Sequence, residues 1–403
     1  MRIKRTILII LIILIIGVMS FMIYKKVTYK KPEPKPDIPN PPQTTTVTDF
    51  NYDIIHKVNK KEENYLVSPY SMIYALSILN EGAAGNTRAQ IEQALKNKTI
   101  SKSSIVQDKI SIANALFIKN EYKKFINTNY INTIKDKYDG EILFDDFYTP
   151  EVINNWAYKK TYKMIEKVVD QIDKDFVLGI ANAIAIDVEW QVKFMENATT
   201  KEDFNKLDGT KKEVDMMHSS EGITYISNDN ASGIIKDYKK YDDVELEFIA
   251  ILPNEKDIKK YINNFDEKEL NSLLSNQKTT ANYDINLSLP KFKYDFDYED
   301  FMKDLISLGI TDAFDKDAAN FDLMETEDSI LDLYVGEAVH KTHIDLSENG
   351  TKAAAVTYFG MFKNTAIAQP KEQLIIKFDR PFLYLIKEKN SNNIWFFGTV
   401  YEP

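Results

Sequence analysis

The sequence predicts an α+β fold organised around a large sheet. Three observations predict it. Apolar residues at helical spacing concentrate early in the chain, strand-like runs dominate its end, and no linker interrupts the stretch from about Val47 to Pro403. Helices first and strands later, within one segment, argue for a single large domain. With 403 residues, 44% of them hydrophobic, the chain can bury a sizeable core. No repeat of 20–50 residues is present.

The N-terminus is a separate unit. Arg2, Lys4 and Arg5 precede an apolar run from Ile7 to Tyr24. Its eighteen residues would span about 27 Å as a helix, enough to cross a bilayer core. Residues 1–24 are therefore expected to be a signal anchor, a transmembrane helix with its N-terminus in the cytoplasm. Lys25, Lys26, Lys30 and Lys31 on the far side oppose that orientation. Small residues at Val18 and Ser20 leave cleavage after Ser20 open, which would make the protein secreted. Residues 25–46 form a Pro/Thr-rich linker. Its alternating prolines from Pro32 to Pro42 give an extended spacer. A membrane-anchored, extracytoplasmic domain at the cell surface is the expected arrangement.

Within the domain, 47–403, Ser68-Pro69 starts a helix, with serine as N-cap and proline in the first turn. Ile73, Leu76 and Leu79 continue it to about Gly82. Thr87 begins another, with Ile91, Ala94 and Leu95 on one face. Ile153 to Ile172 carries a looser helical pattern. Strands are predicted at 176–186, 245–252 and 285–289, and a helix at 301–308 closed by Gly309. Leu333-Tyr334-Val335 through Leu346 reads as strand, as do Leu374 to Phe378 and Ile394 to Val400.

Composition narrows the function. The charge, 51 − 61 = −10, lacks the basic face that nucleic acid requires. Absence of cysteine excludes disulfides, thiol catalysis, thiolate metal sites and lipoprotein attachment. The four histidines, His56, His218, His340 and His343, form no metal-ligand pattern, and neither G-x-S-x-G nor H-E-x-x-H occurs. The chain is therefore expected not to be an enzyme, and no cofactor or metal is expected. Lys159, Lys160 and Lys163 make no clear polyanion site. The sequons at Asn97, Asn197 and Asn230 are no more than chance would supply in an asparagine-rich chain.

One run stands apart: Glu348-Asn349-Gly350-Thr351-Lys352-Ala353-Ala354-Ala355-Val356-Thr357. Small, uncharged residues let a backbone enter a tight slot. At a period of two, Thr351, Ala353, Ala355 and Thr357 share one face, which Phe359 and Met361 continue. The run could join a sheet with that face buried and Lys352 outward. A loop able to become a strand is a stored conformational change.

These pieces, in this order, resemble the serpin family from about Asp49 to Pro403. Asn64 to Ser71, Gly82 to Thr87, Ile112 to Leu116, and Asn182 to Ile184 with Trp190 and Phe194 are similar to family blocks. So are Leu289 to Phe292, Phe378 to Phe382 and Phe397 to Val400. The resemblance implies a metastable fold with a five-stranded central sheet and an exposed reactive loop, about 348–373. It implies a suicide-substrate inhibitor: a target serine protease, or a cysteine protease, is trapped covalently when the cleaved loop inserts as a new strand. A monomer is expected. Glu348, Gly350, Thr351, Ala353, Ala354, Ala355 and Thr357 then form the hinge. Asn349 and Val356 depart from the family pattern there. The reactive bond, counted from Gly350, falls between Asn364 and Thr365, with Met361, Phe362 and Lys363 as neighbours. Counted back from Pro381 it falls near Pro370. Ser68, Ser71, Asn182 and His340 match the family's shutter beneath the sheet, and Trp190 its breach, where insertion begins. The other reading the resemblance leaves open is a non-inhibitory, serpin-fold binding or chaperone-like protein.

Overall fold

The computed structural model describes residues 49–96, 98, 109–351 and 371–403. The chain divides into two units, Met1–Val47 and Thr48–Pro403, and every described residue belongs to the second. The expected anchor (1–24) and linker (25–46) lie outside the described residues. So do the hinge positions Ala353, Ala354, Ala355 and Thr357 and the reactive-bond candidates Met361 to Thr365. Among the described residues, no helix is long and apolar enough to cross a membrane.

In chain order the first elements are α1 (Phe50–Val58), β1 (Leu66–Val67), α2 (Pro69–Gly82), α3 (Gly85–Leu95), β2 (Ile110–Lys119) and α4 (Thr128–Tyr138). They are followed by β3 (Glu141–Asp145), α5 (Glu151–Lys160), β4 (Leu178–Ile186), β5 (Val188–Glu189), β6 (Thr200–Asn205), β7 (Lys211–Ser219), β8 (Thr224–Ser227), β9 (Ala231–Asp237) and β10 (Leu246–Pro253). The remainder comprises α6 (Ile258–Asn263), α7 (Glu267–Ser275), β11 (Gln277–Thr279), β12 (Tyr283–Pro290), β13 (Phe292–Asp297) and α8 (Phe301–Ser307). Last come β14 (Lys341–Ser347), β15 (Gly350–Thr351), β16 (Glu372–Lys377), β17 (Phe382–Glu388) and β18 (Ile394–Val400). Helices early and strands late are both observed.

Local chemistry explains the boundaries that position the site. Ser68 caps α2, its Oγ accepting from the Ser71 N–H, with Pro69 in the first turn. The pattern from Ile153 to Ile172 is not one helix. It stops at Lys160, because Tyr162 and Lys163 turn into positive φ. Val168, Val169 and Ile172 beyond the break still pack beside Ile153 and Trp156, so packing alone produced the apolar spacing. The strand expected from Leu333 begins only at Lys341. Upstream, the backbone bonds outside any sheet: Val335 N–H donates to the Ala313 carbonyl at 2.8 Å and Leu333 N–H to Glu325 Oε1 at 3.2 Å.

The largest sheet runs β1-β18-β17-β10-β9-β8-β11, and its central strands are buried on both faces. A second sheet is ordered β16-β12-β7-β6. In place of one five-stranded central sheet, two ladders are present, β3-β2-β4 and β13-β14-β15-β5. No β4–β14 pairing occurs among the described residues, and only the two-residue β15 lies between β14 and β5. Period two in β2 explains how the first ladder is covered. Ala113, Ala115 and Phe117 face α5, where Trp156 meets the Phe117 ring edge-on at 5.6 Å. Ile112, Leu116 and Ile118 face the main core.

Candidate functional site: the hinge dock and the slot below it

Ile184, Ala185 and Ile186 of β4 and Thr342 to Asp345 of β14 line a common slot. Met164, Ile165 and Thr161, which follow α5, line it too, as does Thr351. The cavity is only about 20 Å³, room for roughly one water. A strand with side chains enters only if β4 and β14 part.

The segment expected to form the hinge begins inside this assembly. The chain leaves β14, turns through Glu348-Asn349, and pairs back, Ser347 with Gly350 and Leu346 with Thr351. On its other side Gly350 pairs with Glu189 and Thr351 with Val188. The first residues of the expected loop are thus already in the sheet: Thr351 is buried, at 4% exposure. Gly350 is obligatory. Its φ is +149°, and a Cβ there would lie 2.0 Å from the Val188 carbonyl oxygen.

The segment after β5 holds the turn through three carbonyls. Trp190 donates its backbone N–H to Asn349 O and its indole N–H to Ser347 O, both at 2.9 Å. The Phe194 N–H donates to Glu348 O at 3.0 Å. The Trp190 ring stacks on Tyr238 at 4.5 Å, and the Tyr238 hydroxyl shares a 2.6 Å hydrogen bond with Thr351. Glu348 is buried, accepts from the Thr199 hydroxyl at 2.8 Å and pairs with Lys291 at 3.0 Å. Burial alone would raise its carboxyl pKa. Its own backbone N–H, Thr199 and Lys291 outweigh that and hold the carboxyl below its ordinary value.

Beneath the slot runs a polar chain containing the four predicted shutter residues. Ser68 N–H donates to His340 Nε2 at 3.0 Å, and the Ser68 hydroxyl to the Trp395 carbonyl at 2.6 Å. The Ser71 hydroxyl donates to Asn182 Oδ1 at 2.5 Å. The Asn182 amide donates to Asn114 Oδ1, and the Asn114 amide to the Tyr138 carbonyl, both at 2.8 Å. Burial pushes the His340 pKa down to about 3, so the ring accepts as the neutral imidazole with its proton on Nδ1. Tyr238, Asn114, Thr199 and Lys291 were not anticipated. Asn114 had one available signal: it sits opposite Asn182 in register on the adjacent strand. Among the described residues, no His, Cys, Asp or Glu cluster is placed to hold a metal.

Fold and site together define a class: a single α+β domain whose central sheet is split and whose hinge is threaded into the top of the split. The comparisons with known proteins are specific. The family described as serpin (serine protease inhibitor) matches residues 45–403. An uncharacterized serpin-like protein of Methanosarcina mazei is 31% identical over 376 residues, covering 88% of this chain and 85% of its own length. Leukocyte elastase inhibitor of Xenopus laevis is 28% identical, with 89% and 99% of the two chains covered. The thermophilic serpin tengpin, in its native state, superposes with a TM-score of 0.75 and 33% identity, covering 88% of this chain and 93% of its own. The chain belongs to the serpin family, described as serine protease inhibitors.

Proposed function

We propose that this serpin inhibits a serine or cysteine protease as a suicide substrate. Its loop is cleaved, enters the slot between β4 and β14, and carries the acyl-enzyme with it. The observation that carries this reading is the position of Gly350 and Thr351, which already occupy the mouth of the slot. Continuing inward, the sequence offers Ala353, Ala355 and Thr357 at the alternate positions, all small and uncharged. A strand gaining two neighbours gains two ladders of hydrogen bonds, which supplies the driving force. Ser68, Ser71, Asn182 and His340 act as the gate that lets the strands part and reclose, and Trp190 with Tyr238 marks where insertion starts.

The reactive bond is taken as Asn364–Thr365, with Met361, Phe362 and Lys363 setting specificity. Residues 1–24 are taken as a membrane anchor that displays the domain outside the cytoplasm.

The test is incubation of the purified protein with a panel of proteases. An SDS-stable complex of added mass is the expected result. Cleavage without complex, and with no rise in melting temperature, would instead leave a non-inhibitory binding or chaperone-like protein. Thr351→Arg is expected to turn the inhibitor into a substrate, because a guanidinium would have to enter a buried position. Mass spectrometry of the released peptide locates the bond, and a cut at Pro370 would overturn the count from Gly350. Alkaline extraction tests the anchor, since a spanning helix stays with the membrane.

A further inference from the structure

Lys236 lies one residue before the end of β9, opposite Phe248 of β10. It has no exposed surface, and its Nζ meets no hydrogen-bond partner among the described residues. Instead it sits 4.6 Å from the Phe194 ring centroid and 5.8 Å from that of Trp190. Those two residues carry the hydrogen bonds that hold the Ser347–Asn349 turn. The amine is therefore a foot under the hinge dock.

An ammonium has three donors and none is satisfied here, so the charged form is penalised by burial. The two aromatic faces offset only part of that. Burial brings the pKa down from 10.5 to about 8, while Asp237 on the same strand and Glu221 in the loop before β8 pull the other way. Neither carboxylate bonds Lys236, and both Asp237 oxygens are taken by Lys389 at 3.0 Å. On the turn above, Glu348 is already paired with Lys291.

We propose that Lys236 is a proton-dependent release for the hinge: an ammonium sealed beneath Trp190 and Phe194 weakens the dock of Glu348 to Thr351, and loss of that proton tightens it. The inference deepens the inhibitory reading by naming a regulator of the same site. The sign is fixed by the direction of the shift. Because the closed dock lowers the pKa from 10.5, the penalty is full below about pH 8, shrinks between 8 and 10.5, and vanishes above.

The experiment is hydrogen exchange of the full chain, read on peptides spanning Val188–Phe194 and Ser347–Thr351, from pH 6.5 to 9.5. Wild type and Lys236→Met are compared at each pH, so the chemical exchange rate cancels. Wild type is expected to exchange at least about tenfold faster at pH 7, with the ratio falling towards one as pH rises. Lys236→Arg, charged throughout, is expected to exchange fast at every pH. Equal rates for wild type and Lys236→Met, or a ratio that does not change with pH, would overturn the proposal. Should the methionine variant not fold, the Lys236 amine is titrated in the native chain by ¹⁵N NMR, and an ordinary lysine value overturns it as well. No protease enters the assay, so this result is independent of complex formation.

Discussion

The hinge dock and the polar chain beneath the slot bury polar groups in opposite ways. In the chain, each link from His340 through Ser68, Ser71, Asn182 and Asn114 to Tyr138 meets a partner, and the histidine is kept neutral. At the dock, the turn carbonyls and Glu348 are satisfied, yet the platform beneath them rests on an amine with no acceptor among the described residues. A saturated network fixes one arrangement. A platform on an unsatisfied charge holds its arrangement less firmly. The difference places the weaker fastening at the hinge and the firmer one below it.

The largest effect that sharpens this contrast is Trp190→Ala. It removes a fully buried indole, its bond to Ser347 and the stack on Tyr238, and is expected to cost about 3–5 kcal/mol. Denaturant unfolding measures it, with exchange at Thr351 rising further than elsewhere. His340 comes next and acts through pH. Its folded pKa of about 3 lies below the ordinary 6.5, so its contribution is intact above pH 6.5 and is lost progressively as pH falls towards 3. Melting curves of wild type and His340→Gln should therefore converge on acidification. Gly350→Ala follows, forcing a side chain against Val188 at positive φ, with an expected cost of about 1–3 kcal/mol. Loss of Gly350–Thr351 protection without loss of the remaining fold is the signature. Ser71→Ala is smallest, about 1 kcal/mol, because half-buried Asn182 can turn to water. If Ser71→Ala destabilised more than Trp190→Ala, the assignment of the weaker fastening would be reversed.

Much of this site was legible because small residues and caps have local causes. Ser68-Pro69 announces a helix start wherever it occurs, and Gly350 followed by small alternating residues announces a close backbone approach. The break after Lys160 was not legible, since Tyr162 and Lys163 enter positive φ with no glycine or proline to mark it. The late start of β14 was hidden because Leu331, Leu333 and Val335 are apolar for packing and not for pairing. Lys236 was invisible for a different reason. A lysine next to Asp237 and close to Lys239-Lys240 reads as part of a solvated face, whereas in the structure its amine lies over the rings of Phe194 and Trp190. The early seating of Thr351 depends likewise on Tyr238, which is 113 residues away in sequence.

The three tryptophans have a practical consequence. Trp156 lies on α5 against Phe117, Trp190 beside the turn before Gly350, and Trp395 against the serine that caps α2. Each is buried, at a different place in the molecule. Variants retaining a single indole would turn intrinsic fluorescence into a depth gauge, reporting helix lift-off, mouth opening and floor rearrangement as separate optical signals without any attached dye.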